Sequence, residues 1–153
     1  MKNYFEVTVK FDKVLEDGKV KNVSEKYLVD AISFTEAEAR IIKEMKEFIF
    51  RGFKVTGIIP KKIAGLFFNG FCDIWYSCKV CYTTLNENTG KDKKTFVIMF
   101  SQGNSVEDAR YTIKDKFKGS MADWSIVSIS ETKIINVFEH ECTLVDLLKI
   151  LIQ

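Results

Sequence analysis

One pattern occurs twice in this chain. Lys26-Tyr-Leu-Val-Asp-Ala-Ile-Ser-Phe-Thr-Glu-Ala-Glu-Ala-Arg40 runs an apolar strand into a hydroxyl residue, an acid three positions on, then Ala-Arg. Lys94-Thr-Phe-Val-Ile-Met-Phe-Ser-Gln-Gly-Asn-Ser-Val-Glu-Asp-Ala-Arg110 does the same. Further landmarks keep step: Phe5 with Tyr76, Arg40 with Arg110, Phe53 with Trp124, Lys62 with Lys133, Phe67 with Phe138. Order, caps and spacing recurring together imply an internal duplication. Two copies are too few for an open solenoid, so they are expected to close on one another.

Each copy reads as strand, strand, helix, strand. Tyr4 to Phe11 alternates, with Phe5, Val7, Val9 and Phe11 on one face; Asp17-Gly18 can turn, and Lys26 to Ser33 returns. Thr35 with Glu38 three residues on matches a capping box, opening a helix with the stripe Ile41, Ile42, Met45, Phe48 and Ile49. Phe53 to Ile59 is the third strand. In the second copy Trp75 to Thr84, Thr95 to Ser101 and Trp124 to Ile129 are the strands. Between the last two, Ser105 caps a helix striped by Val106, Ala109, Ile113 and Phe117. The expected fold is therefore α+β, an internal duplication of a ββαβ unit. Each copy has an antiparallel three-stranded sheet in spatial order 2-1-3, one helix on one face, and a right-handed crossover. Residues 1–68 form the first repeat, 73–138 the second, and 139–153 a tail with an extra C-terminal helix. Leu28, Ile32, Ile98 and Phe100 put apolar groups on the face away from the helix, so the two sheets are expected to meet in one pseudo-symmetric body, or to form a homodimer contact.

Composition excludes several classes. Apolar residues make up 46% and aromatic ones 13%, enough for a packed core and too much for a disordered chain. Charges nearly cancel, 23 basic against 21 acidic, so no whole-molecule field points to nucleic acid or membrane. No stretch reaches the roughly 20 apolar residues of a membrane span, and the alternating start is unlike a signal peptide. Four cysteines without such a leader suggest reduced thiols and a cytoplasmic location.

Little here suggests catalysis, metal or cofactor. Cys78-Lys-Val-Cys81 lies within an alternating strand, which sends the two thiols to opposite faces. By comparison with Val7 and Lys10, Cys78 should point inward and Cys81 outward. Glu139-His140-Glu141-Cys142 is adjacent rather than at ligand spacing, and His140 is the only histidine. Carboxylates at the helix starts are accounted for by capping, and no phosphate-loop pattern appears. Catalytic residues, metal ligands and cofactors are accordingly expected to be none.

Two surfaces remain. Lys91, Lys93 and Lys94 crowd the second hairpin and Lys114 its helix; with Trp75 and Tyr111 they could hold single-stranded nucleic acid, lysines on phosphates and rings on bases. Interleaved acids (Glu87, Asp92, Asp115) leave an ordinary solvated face as the alternative. In the tail, Leu144, Leu147, Leu148 and Leu151 give an apolar helix of about 15 Å. It either packs on its own domain, makes a homo-oligomer contact, or lies on a membrane surface.

Asn3-Tyr-Phe-Glu-Val-Thr-Val-Lys, Glu25-Lys-Tyr-Leu-Val-Asp-Ala, Phe34-Thr-Glu-Ala-Glu-Ala-Arg and Met121-Ala-Asp-Trp-Ser-Ile-Val-Ser-Ile together resemble an uncharacterised domain-of-unknown-function family of Bacteroidales bacteria and their phages. The likeness covers most of Tyr4 to Phe138 and brings no catalytic or binding residue. It implies a small accessory protein of a phage or mobile element. The expected function is a non-enzymatic binding protein whose first ligand is single-stranded nucleic acid. The alternatives are a protein-interaction or homo-oligomeric assembly module, and a small-ligand-sequestering anti-defence protein with a pocket between copies.

Overall fold

The structure, a computed structural model, describes residues 3–49, 51–120 and 122–139. It is α+β, with two helices and eight strands in two sheets among the described residues. The chain runs β1 (Tyr4–Val14), β2 (Val20–Asp30), α1 (Phe34–Lys46), β3 (Phe53–Lys61), β4 (Gly65–Phe67), β5 (Ile74–Leu85), β6 (Asp92–Gly103), α2 (Val106–Phe117), β7 (Asp123–Glu131) and β8 (Ile134–Phe138). Two compact units result. Among the described residues, one is 61–136 and the other is 3–60 together with 137–139.

In the unit built on β1 and β2, alternation sets the core. Val7 lies opposite Tyr27 and Phe5 opposite Val29 across an antiparallel pair. That face meets Ala37, Ile41 and Met45 of α1. Val7, Val9 and Val29 are fully buried, each contributing about 1.5 kcal/mol or more by removal from water. The unit of residues 61–136 repeats the arrangement. Cys78 lies opposite Met99 and Tyr76 opposite Ser101, and the same face packs on Ala109 and Ile113 of α2. Cys78 is fully buried, as Val7 is. Toward the turn of each hairpin the strands become exposed, Val14 at 55% and Leu85 at 64%. Gly18 and Gly90, at φ of 80° and 68°, make turns that a side chain would strain.

The first helix begins two residues earlier than its sequence suggests. Ser33, not Thr35, is the N-cap: its hydroxyl accepts from the Glu36 N–H at 3.1 Å, and the Glu36 carboxylate accepts from the Ile32 N–H at 3.2 Å. Ser105 caps α2 in the same way, accepting from Asp108 N–H at 3.2 Å, while Asp108 accepts from Asn104 N–H at 3.0 Å. Ala37 and Ala109, both fully buried, are thus the matching positions, and the Ala-Arg echo in the sequence is out of structural register. Phe48, expected in the buried stripe, lies beyond the end of α1 and is 65% exposed.

The expectation of three-stranded sheets in a ββαβ unit is corrected: each sheet has four strands. Their orders are β3-β1-β2-β8 and β4-β6-β5-β7. β3-β1-β2 and β6-β5-β7 are neighbours in these orders, and a short fourth strand from the opposite half of the sequence lies beside β2 or β6. β4 runs parallel to β6, with Leu66 opposite Phe100. Phe67 packs into the core under α2 and Phe138 into the core under α1, where it stacks on Tyr27 at 5.6 Å. Covering an otherwise open edge is the physical gain. The C-terminal helix expected over residues 143–153, with Leu144, Leu147, Leu148 and Leu151, lies outside the described residues.

Candidate nucleic-acid interface

β5 and β6 present two faces. Tyr76, Cys78 and Val80 with Val97 and Met99 turn to α2. By alternation Lys79, Cys81 and Thr83 with Ile98, Phe96 and Lys94 turn away from it. Trp75 and Phe100, toward one end of that second face, are buried. Toward the hairpin end Phe96 is 53% exposed, and the Lys79 ammonium sits 4.9 Å from the Phe96 ring centroid. Lys94 follows two residues along the same strand, opposite Thr83. Ser125 and Ser128 of β7, paired with Cys81 and Lys79, add hydroxyls alongside. An accessible ring flanked by two lysines and small hydroxyl residues has the chemistry of a base-stacking platform with phosphate partners.

The residues singled out from sequence divide among several places. Lys94 lies on this face. Lys93 points to the opposite side of the strand, beside Thr84, and Lys91 closes the turn, its carbonyl accepting from the Asn86 N–H at 2.9 Å. Tyr111 and Lys114 are exposed on α2, one helical turn apart, hence on the side of the sheet that Phe96 does not share. Trp75 is corrected: at 1% exposure, edge-on to Phe68 at 5.2 Å, it offers no ring to a base. Lys79 and Phe96 are the residues that sequence reasoning missed. The usable signal was parity, since Phe96 shares its face with Ile98 and Phe100.

Cys78 and Cys81 do face opposite ways, but Cys81 is buried at 8% exposure rather than outward in water. Burial in the core pushes the Cys78 thiol up to about 11. No group of three or more His, Cys, Asp or Glu side chains is close enough to hold a metal ion among the described residues. No helix among them is long and apolar enough to cross a membrane.

The other unit has a different surface. On it Thr8, opposite Lys26, takes the place of Lys79, and Ser24, opposite Lys10, takes that of Phe96. Lys26 is paired with Glu6 at 3.2 Å. The aromatic platform therefore belongs to the unit of residues 61–136.

No curated protein and no solved structure matches the chain. A family model, described as a domain of unknown function (DUF4494), matches residues 3–140, and the chain belongs to that family.

Proposed function

We propose that this is a non-enzymatic binding protein that holds single-stranded nucleic acid on the α2-free face of the β5–β6 hairpin. A base would stack on Phe96 while Lys79 and Lys94 neutralise the adjoining phosphates. The observation that carries the reading is the half-exposed Phe96 ring with Lys79 poised over it. The exposed half of the Phe96 ring adds little to folding, whereas stacking one base on it is worth about 1–3 kcal/mol. The repeated order of elements, with Val7 and Cys78 at matching buried places, supports reading the two halves as an internal duplication in which one copy acquired the platform. The setting we propose, from the family resemblance, is the cytoplasm of a Bacteroidales cell carrying a phage or mobile element.

Fluorescence anisotropy of a labelled oligothymidylate at low salt tests the reading. Binding should weaken as salt rises, by the release of counterions from the phosphates, and should weaken again in Phe96→Ala. Absence of binding at low salt would overturn it.

A further inference from the structure

We propose a second site, in the unit built on β1 and β2: an open groove that takes a nucleotide as a small molecule. The groove has a volume of about 440 Å³ and lies between the outer end of the β1–β2 hairpin and the segment after α1, within the size range of small-molecule sites. Phe11 and Tyr27 form its inner wall, and Phe48, 65% exposed, its rim. Glu25 is fixed there by the Tyr27 hydroxyl, which donates to Glu25 Oε2 at 2.6 Å, and among the described residues no second donor meets its Oε1. Lys13 and Arg51 bring two cations to the same lining, beside Asp12, whose Oδ1 already accepts from Asn22 Nδ2 at 2.9 Å.

Three requirements on the ligand follow. It needs a flat face for Phe48, N–H donors for the Glu25 carboxylate, and an anionic group for Arg51 and Lys13. A purely apolar ligand would desolvate the Glu25 carboxylate with only the Tyr27 hydroxyl to offset the cost. A bare anion would gain nothing from the aromatic lining. A nucleoside monophosphate meets all three, through base ring, base N–H groups and phosphate. The nucleotide could be free or the end of a strand; its recognition chemistry here is the same. None of these residues belongs to the Phe96 face, so the two proposals can fail separately.

The test is isothermal titration calorimetry of the full chain with adenosine and guanosine 5′-monophosphate, the two nucleosides, and ribose 5-phosphate. At least one mononucleotide should bind saturably and more tightly than its nucleoside and than ribose 5-phosphate. Phe48→Ala and Arg51→Ala should each weaken it by about tenfold, while Phe96→Ala leaves it unchanged. Arg51→Ala should not alter nucleoside binding. Both substituted residues are exposed, so circular dichroism should show an intact fold. Competition by a 5′-phosphorylated oligonucleotide in the Phe96→Ala background would assign the site to strand ends, and its absence to free nucleotides. No saturable heat from either mononucleotide up to about 10 mM, or binding indifferent to both Phe48→Ala and Arg51→Ala, would overturn the proposal.

Discussion

Arg40 of α1 reaches back to Asp30 at the end of β2, where its guanidinium bonds both the carboxylate and the backbone carbonyl of that residue. Asp30 is buried and the Arg40 side chain only 17% exposed. Arg110, its partner in the sequence echo, instead sets its Nε 3.6 Å from Glu107, whose side chain is 79% exposed. Removing one member of a buried pair costs about 3 kcal/mol or more, while a pair with a solvent-exposed member is worth about 0–1 kcal/mol. Urea unfolding should therefore show Arg40→Ala strongly destabilised and Arg110→Ala nearly unchanged. Equal effects would contradict the assignment.

The caps make a second contrast. Ser33→Ala and Ser105→Ala should each lower stability by about 1 kcal/mol, since each hydroxyl satisfies a helix-start N–H. Thr35→Ala should change it little, because Thr35 lies inside α1. A Thr35→Ala loss equal to that of Ser33→Ala would restore the later helix start.

Phe138 tests the added strand. Its ring stacks on Tyr27 at the edge of the first sheet, and Phe138→Ala should destabilise by about 2–3 kcal/mol through lost burial and the cavity left behind. The measurement is a thermal or urea midpoint. A neutral result would mean that β8 does not close this core.

Cys78 supplies a pH dependence. Its thiol titrates near 11 when folded, against an ordinary value of 9.0, because burial opposes the thiolate. Between about pH 9 and pH 11 the unfolded chain has lost this proton and the folded chain keeps it, so stability falls as pH rises. The fall from this group amounts to about 2–3 kcal/mol, and below pH 9 its contribution is fully present. A Cys78→Ala variant, compared with the parent chain across this window, should show a correspondingly smaller fall. Folded protein should also react slowly with a disulfide reagent at Cys78 near neutral pH. Prompt labelling there would contradict the burial.

Alternation made the two hairpins and their buried faces legible: Phe5, Val7 and Val9 had to share a side, and so did Cys78 and Val80. The helices were legible too, though Thr35 with Glu38 reads as the capping box of the first, and only backbone geometry gives the cap to Ser33. The fourth strands were not. Gly65–Phe67 and Ile134–Phe138 are short, and no sequence pattern names a strand's partner, which here is in the opposite half of the sequence. Trp75 was misread for a related reason. Opposite parity to Tyr76 puts it on the helix-free face, and parity does not say which end of that face is covered. The same blindness hid Phe96, whose exposure depends on where along the hairpin the covering stops.

The Phe96 platform is tested most directly by anisotropy of a labelled single-stranded oligonucleotide at fixed low salt, comparing the parent chain with Phe96→Ala and Phe96→Tyr. Phe96 is half-exposed, so its loss should leave the thermal midpoint nearly unchanged. If the ring stacks a base, Phe96→Ala weakens binding by about tenfold or more and Phe96→Tyr retains it. Tight binding that survives Phe96→Ala unaltered, or no binding by the parent chain at all, would contradict the account.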